Sequence, residues 1–386
     1  MTPQQQAAPG EPRAAPPNRR RLRPVAGGAS ALASLAVAEL VLWLFCPLTY
    51  EIRSPSGELL DWQAFKPYGC RADTTVWELD FAQKTTQQGI ADWDAGVPSP
   101  DQSGIPFRRH PVRGWECESG FRTRGRAPTS WRSTATMRVL AVGDSFTFGS
   151  DVQPHEAWCH VLQSTTPGAE VLNGGVPGYG VDQVALKLEE FGPQLKPDVV
   201  LWGLVNDDIL RAGRSWFPKS WMPKPRLVIQ GDGWSVVPPR TRREVYESAS
   251  GWHPRLGLVA RAGLDALRYG AWSNECVDLF RDILRISRAR VASWGGRLIV
   301  VHMPTGGTLL RQDDIMGAQL HEICRELQVE VVDVRAALRA SNLTEGEVAG
   351  FTLRPGGRGH YTPLGNRLVA RVVGEYLARE PGGKRK

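Results

Sequence analysis

Met137-Arg138-Val139-Leu140-Ala141-Val142-Gly143-Asp144-Ser145-Phe146-Thr147-Phe148-Gly149 is the stretch on which the fold turns. Met137 to Val142 is a short, mostly apolar run, the pattern of a parallel strand buried on both faces. Gly143 ends it, and a glycine there lets the chain turn sharply at the strand end. The serine after such a turn can cap a helix or stand free at the sheet edge for chemistry.

Toward the C-terminus the same rhythm repeats. Pro154 to Gln163 reads as a helix, and Glu170-Val171-Leu172 as a strand ending at Asn173-Gly174-Gly175. Val181 to Phe191 is helical, and Asp198 to Trp202 is a strand running out at Asn206-Asp207-Asp208. After an insertion over 211–255, helical periodicity runs from Leu256 to Ser293. Arg297 to His302 is a strand, Asp313 to Leu327 a helix, Glu330 to Val334 a strand, and Leu364 to Ala378 the last helix. This alternation predicts an α/β fold, a flavodoxin-like three-layer α/β/α sandwich with about five parallel strands. In such sheets ligands bind outside the carboxyl ends of the strands. The turns at Gly143-Asp144-Ser145, Asn173-Gly174-Gly175 and Asn206-Asp207 should therefore meet at one pocket.

Those turns carry a resemblance. From about Met137 to Glu375 the chain resembles the SGNH hydrolases, the GDSL-like lipases and esterases. Gly143-Asp144-Ser145 is similar to the block that supplies the nucleophile, and Asn173-Gly174-Gly175-Val176-Pro177-Gly178-Tyr179 to the second block. Asn206 is similar to the third block's asparagine, and His360 in Gly359-His360-Tyr361-Thr362-Pro363-Leu364-Gly365-Asn366 to the last block's general base. The resemblance implies that Ser145 attacks an ester carbonyl, His360 takes its proton, and Ser145, Gly178 and Asn206 form the oxyanion hole. The chemistry suits these residue types, because a serine hydroxyl needs an adjacent base and the tetrahedral oxyanion needs preorganised donors.

The match has gaps. An aspartate normally stands two or three residues before the histidine, where this chain has Arg358 and Gly357. An arginine there opposes the positive charge that forms on the imidazole. Asp333, at the end of the fifth strand, is the first candidate to orient His360, and a backbone carbonyl is the alternative. Asp144 and Arg358 are candidates for substrate binding, Arg358 for an anionic group. Gly203 lies three residues before Asn206 where two is usual. Asn173, Asn206 and His360 taken singly are compatible with turn or packing roles; their order argues for catalysis.

The N-terminal part reads differently. Residues 1–24, rich in Pro, Ala, Gln and Arg, form a disordered basic tail. From Val25 to Leu48 the only charge is Glu39, so 25–49 is expected to be one transmembrane helix. Arginines in front of it place the tail in the cytoplasm and the rest in the periplasm of an inner membrane. A cleaved signal peptide and a buried helix are the alternatives. Residues 50–135, punctuated by tryptophans, form a membrane-proximal extension; 136–380 is the SGNH-like domain, and 381–386 a basic tail. The chain carries 47 Lys and Arg against 40 Asp and Glu, but without a basic stripe interleaved with aromatics, so nucleic acid is not an expected partner. Six cysteines are too few for a disulfide scaffold, although Cys70 and Cys117 could pair. His321-Glu322 is not followed by a second histidine, and neither a metal site nor a cofactor is expected.

The expected function is a membrane-anchored esterase acting on O-acyl or O-acetyl groups of a small molecule or glycan. An O-acyltransferase modifying a cell-envelope or exported polysaccharide, served by an acyl-donor partner protein, is the second reading. A catalytically impaired glycan-binding protein, motivated by the missing aspartate, is the third.

Overall fold

A computed structural model of the chain describes residues 32–41, 49–53, 59–64, 87–100, 105–117, 119–122, 130–132, 134–212, 216–217, 222–244, 274–305, 314–340, 352–354 and 358–379. The chain divides into two units, one formed by Met1–Pro47 with Trp252–Asp265 and the other by the remainder.

The larger unit is built on one parallel sheet. Its strands are β1 (Met137–Gly143), β2 (Ala169–Gly175), β3 (Val199–Leu204), β4 (Arg297–His302) and β5 (Glu330–Asp333), in the order β5-β4-β3-β1-β2. Read from the other edge this is 2-1-3-4-5, the flavodoxin-like order, whose direction of travel reverses between β1 and β3. Alternate strand residues face opposite layers. Leu140, Val142, Val200, Trp202 and Leu204 pack into one core with the helices Val181–Leu195, Asn274–Ser293 and Ile315–Glu326. Val139, Ala141, Val199, Leu201, Ile299 and Val301 pack into a second core with Trp158–Thr165, Val334–Ala340 and Pro363–Arg379. The expected three-layer α/β/α sandwich with a five-stranded parallel sheet is the observed one.

Some elements differ from expectation. Pro154–Glu156 is a 3-10 turn, and the α-helix begins only at Trp158. The helix from Val181 continues to Leu195, ending at Lys196 with a positive φ of 42°. β5 stops at Asp333 because Val334 opens a helix. The insertion contains a hairpin, Arg226–Gln230 against Gly233–Val237. Its Trp234 lies 3.9 Å from the guanidinium of Arg290 and donates to Glu189 at 2.9 Å, so it packs on helices of the domain.

Ahead of β1, a three-stranded antiparallel sheet (Ser99–Pro100, Pro106–His110, Gly114–Cys117) buries Trp93, Phe107 and Trp115 in the first core. Cys117 is a free, buried thiol and Cys70 lies outside the described residues, so the structure gives the Cys70–Cys117 pair no support.

Among the described residues no helix is long and apolar enough to cross a membrane. Of the expected span 25–49, only 32–41 is described, as a helix about 15 Å long at 1.5 Å per residue, about half of what a bilayer core requires. The rest of that span lies outside the described residues, and the spanning helix finds no support in the fold.

Candidate active site

Ser145 opens a single helical turn, Ser145–Phe148, directly after β1. Gly143 is indispensable to this turn. Its φ is +156°, and a Cβ there would lie 2.4 Å from the Gly203 carbonyl oxygen and 2.2 Å from Thr147 Oγ1. Gly149, at φ 80°, closes the turn in the left-handed region. Ser145 is 7 % exposed, and its hydroxyl donates to Asp144 Oδ2 at 3.3 Å.

The second block locks against this turn. Val176 N–H donates to the Gly143 carbonyl at 3.0 Å. Asn173 Nδ2 donates to the carbonyls of Thr147 and Phe148 at 3.0 and 3.2 Å, while its Oδ1 accepts from Gly175 N–H. Asn173 is thus a clamp on the serine turn. Gly178, at φ 79°, sits in the turn that follows. Trp115 Nε1 donates to the neighbouring Pro177 carbonyl at 2.9 Å, and Tyr179 Oη donates to the Trp115 carbonyl at 2.5 Å. Among the described residues neither the Ser145 nor the Gly178 N–H has an acceptor, so both remain available to an anion.

Asn206 begins the turn after β3 and is 5 % exposed. Its Nδ2 donates to Asp314 Oδ1 at 2.8 Å, and its Oδ1 lies 3.1 Å from His302 Nε2. A carboxylate only accepts, so the amide nitrogen must face Asp314 and the oxygen must face His302. His302 therefore carries its proton on Nε2. Burial pushes its pKa down to about 4, and the ring is neutral. Asp314 is held in turn by Arg335 Nη1 at 2.9 Å. The Asn206 amide is oriented on both sides, and its second N–H has no acceptor among the described residues.

His360 lies in the short strand Arg358–Tyr361. Its Nδ1 is 2.7 Å from Asp151 Oδ2, and its ring packs edge-on against Phe146, the residue after Ser145, with centroids 5.1 Å apart. Asp151, in the loop that leaves the serine turn, thus supplies a carboxylate to a histidine that has none just ahead of it in the sequence. Asp151 adopts a positive φ of 68°, a conformation that Asp tolerates better than most residues. Asp333, the candidate read from the sequence, does not reach His360. It accepts from Ala336 N–H at 2.9 Å and lies 3.7 Å from His321 Nε2, because β5 delivers it to the far edge of the sheet. Asn366 fixes the histidine segment, accepting from Trp158 N–H at 3.0 Å and donating to the Tyr361 carbonyl at 3.1 Å. The side chain of Arg358 lies outside the described residues.

Asp144, a substrate-binding candidate in the sequence, lies inside the fold. It is fully buried, accepts from Phe146 N–H at 2.8 Å and pairs with Arg211 Nη1 at 3.2 Å. The same Arg211 nitrogen reaches Asp208 Oδ1 at 2.7 Å and the Tyr179 carbonyl at 3.0 Å. One guanidinium thus ties together the loops after β1, β2 and β3. Burial, reinforced by Asp144, pushes the Asp208 carboxyl well above the usual carboxylate range, consistent with two buried acids sharing one cation.

Residues 141–368 match the GDSL-like lipase/acylhydrolase family. The chain belongs to that family.

Solved structures similar to this GDSL-like chain include a lipolytic G-D-S-L family member from Veillonella parvula DSM 2008, at 16 % identity over 64 % of this chain and 100 % of that one, with a TM-score of 0.39. Another is an acetylxylan esterase from Geobacillus stearothermophilus, a catalytic mutant, at 16 % identity over 64 % and 95 %, with a TM-score of 0.37. A lipolytic G-D-S-L family protein from Desulfitobacterium hafniense DCB-2 follows at 16 % identity over 63 % and 100 %, with a TM-score of 0.36. A search of curated proteins returns no match.

Several residues that build this site escaped the sequence reading. Asp151 has no local signal, being 209 residues from its partner in the chain. Arg211 stood at the start of a presumed insertion. Arg122, which donates to the Phe148 and Val152 carbonyls at 2.5 Å each, and Trp115 belong to an extension with no legible motif.

Proposed function

We propose that this GDSL-like hydrolase cleaves carboxylic esters through Ser145, with His360 as base, Asp151 as the acid that orients it, and the Ser145 N–H, Gly178 N–H and Asn206 amide as oxyanion donors. The observation that carries the reading is the Asp151–His360 contact packed on the residue next to Ser145. In catalysis the Ser145 hydroxyl leaves Asp144 and donates to His360 Nε2, which has no partner among the described residues. Hydrogen bonds of this kind commonly tighten only once substrate is bound. Oγ attacks the ester carbonyl as its proton passes to His360, and Asp151 steadies the imidazolium. The oxyanion draws on the three donors. Collapse expels the alcohol, which takes the proton from His360, and leaves an acyl-serine. Water, deprotonated by His360, then releases the acid.

The Asp151 carboxylate at His360 Nδ1 supports the catalytic reading over a binding-only protein. We further propose that the substrate is an O-acyl or O-acetyl ester of a glycan or small molecule outside the cytoplasm, and that the apolar N-terminal segment anchors the enzyme in the inner membrane. The support for anchoring is the composition of residues 25–48 and the exposure of Leu32, Leu35, Val37, Leu40 and Val41 on the helix over 32–41.

Labelling with a fluorophosphonate and turnover of p-nitrophenyl acetate, both lost in Ser145→Ala, are expected. Wild-type turnover that persists in Ser145→Ala sinks the esterase mechanism; turnover only with a sugar acceptor present would indicate acyl transfer instead. The anchor is tested separately by carbonate extraction of cell membranes. Full release of the chain into the supernatant would refute it.

A further inference from the structure

The βαβ unit at the sheet edge brings together three ligand-type side chains, none of which touches the ester in the proposed chemistry. His302 ends β4 and Asp333 ends β5, and the parallel register pairs these two residues directly. His321 comes from the helix Ile315–Glu326 that joins the two strands. One nitrogen or oxygen from each lies within 4.8 Å of the other two. His302 Nδ1 is 3.0 Å from His321 Nε2, which is 3.7 Å from Asp333 Oδ2. A tetrahedral ion with bonds near 2.0–2.1 Å needs ligand atoms about 3.3 Å apart, and the observed separations bracket that spacing.

The outer atoms are already committed. His302 Nε2–H is fixed on Asn206 Oδ1, which directs the Nδ1 lone pair at the cluster. Asp333 Oδ1 is held by Ala336 N–H at 2.9 Å, leaving Oδ2 for a ligand. Metal-binding imidazoles and carboxylates are oriented by such outer hydrogen bonds. His321 and Asp333 are partly exposed, and with His302 they line a cavity of about 430 Å³. Arg335, the one cation among the described residues that line it, is paired with Asp314.

We propose that His302, His321 and Asp333 bind a divalent transition-metal ion of the zinc class, with the cavity side left for water or an anionic ligand. Two imidazoles and a carboxylate suit zinc, cobalt or nickel better than magnesium or calcium. The site was invisible in the sequence because its ligands come from three elements rather than one helix. Through His302 an ion would also stiffen the Asn206 amide; that consequence rests on the esterase reading, whereas the binding does not.

The test is titration of the untagged full-length chain with cobalt(II), followed by displacement with zinc. About one cobalt per chain, with the visible bands of four-coordinate cobalt, is expected in the wild type. His321→Ala and Asp333→Asn should each weaken binding by more than about 10-fold while far-UV circular dichroism stays unchanged. No cobalt binding by the wild type, or equal binding by both variants, overturns the proposal. Esterase activity that depends on Ser145 in a chain that binds no cobalt would overturn the metal site alone.

Discussion

At the scale of single residues, His360, the proposed base, is held by a carboxylate from a place that local pattern does not indicate. Asp151 holds His360 Nδ1 at 2.7 Å, so the proton-accepting nitrogen is Nε2. In Asp151→Asn the amide can donate to Nδ1, favour the wrong tautomer and remove the charge that steadies the imidazolium. The expected result is a fall in kcat of about 10²–10⁴-fold with KM little changed, measured by steady-state hydrolysis of p-nitrophenyl acetate. A kcat within threefold of wild type would remove Asp151 from the mechanism. Asn206→Ala should lower kcat by about 10²–10³-fold, the usual cost of one oxyanion donor. Labelling of Ser145 by a fluorophosphonate, slowed but retained in this variant, distinguishes a lost donor from a lost fold.

At the scale of elements, three loops are coupled through one buried ion cluster. Arg211, on the turn after β3, pairs with Asp144 and Asp208 and reaches the Tyr179 carbonyl. Arg211→Met would leave two buried acids without their cation, which should cost about 3–5 kcal/mol, read as a shift in urea midpoint. A variant as stable as wild type would show that the cluster is not structural. The strands and most helices around this cluster were legible, because runs such as Val139 to Val142 and Ile299 to Val301 are apolar on both faces. The serine, glycine, asparagine and histidine blocks were legible as ordered motifs. What could not be read was long-range pairing. Asp333 looked suitable because it ends a strand, yet the sheet order places β5 at the opposite side of β4 from the catalytic switch point. Arg122 and Trp115 carry no pattern, since their value is a hydrogen bond to a distant carbonyl.

At the scale of the whole molecule, the antiparallel extension ahead of β1 is part of the folded unit and brings a titrating group with it. His110 Nδ1 accepts from the N–H groups of Val112 and Arg113 at 3.2 and 3.0 Å. Burial, with Arg113 nearby, lowers its pKa to about 4 from an ordinary value of 6.5. The unfolded chain therefore binds a proton between pH 6.5 and 4 that the folded chain does not. This contribution to stability is intact above pH 6.5 and is lost as pH falls toward 4, by about 1 kcal/mol once solvent screening of the partly exposed ring is allowed for. His110→Asn keeps an acceptor near the Nδ1 position and cannot titrate. Its denaturant midpoint should fall less between pH 7 and 5 than that of the wild type, and parallel declines would show that His110 is not responsible.

Asp151 and His360 are separated by 209 residues, and that distance sets a temporal order on biosynthesis. Ser145 and Asp151, the proposed nucleophile and acid, emerge together within one short stretch, well before His360 is translated. The growing chain therefore lacks the His360 imidazole beside its serine until the strand Arg358–Tyr361 is made and docked. A protein truncated anywhere before residue 360 would hold Ser145 and Asp151 as spectators. Under the proposed mechanism, hydrolytic competence therefore waits until residue 360 has been translated and its strand docked on the serine turn.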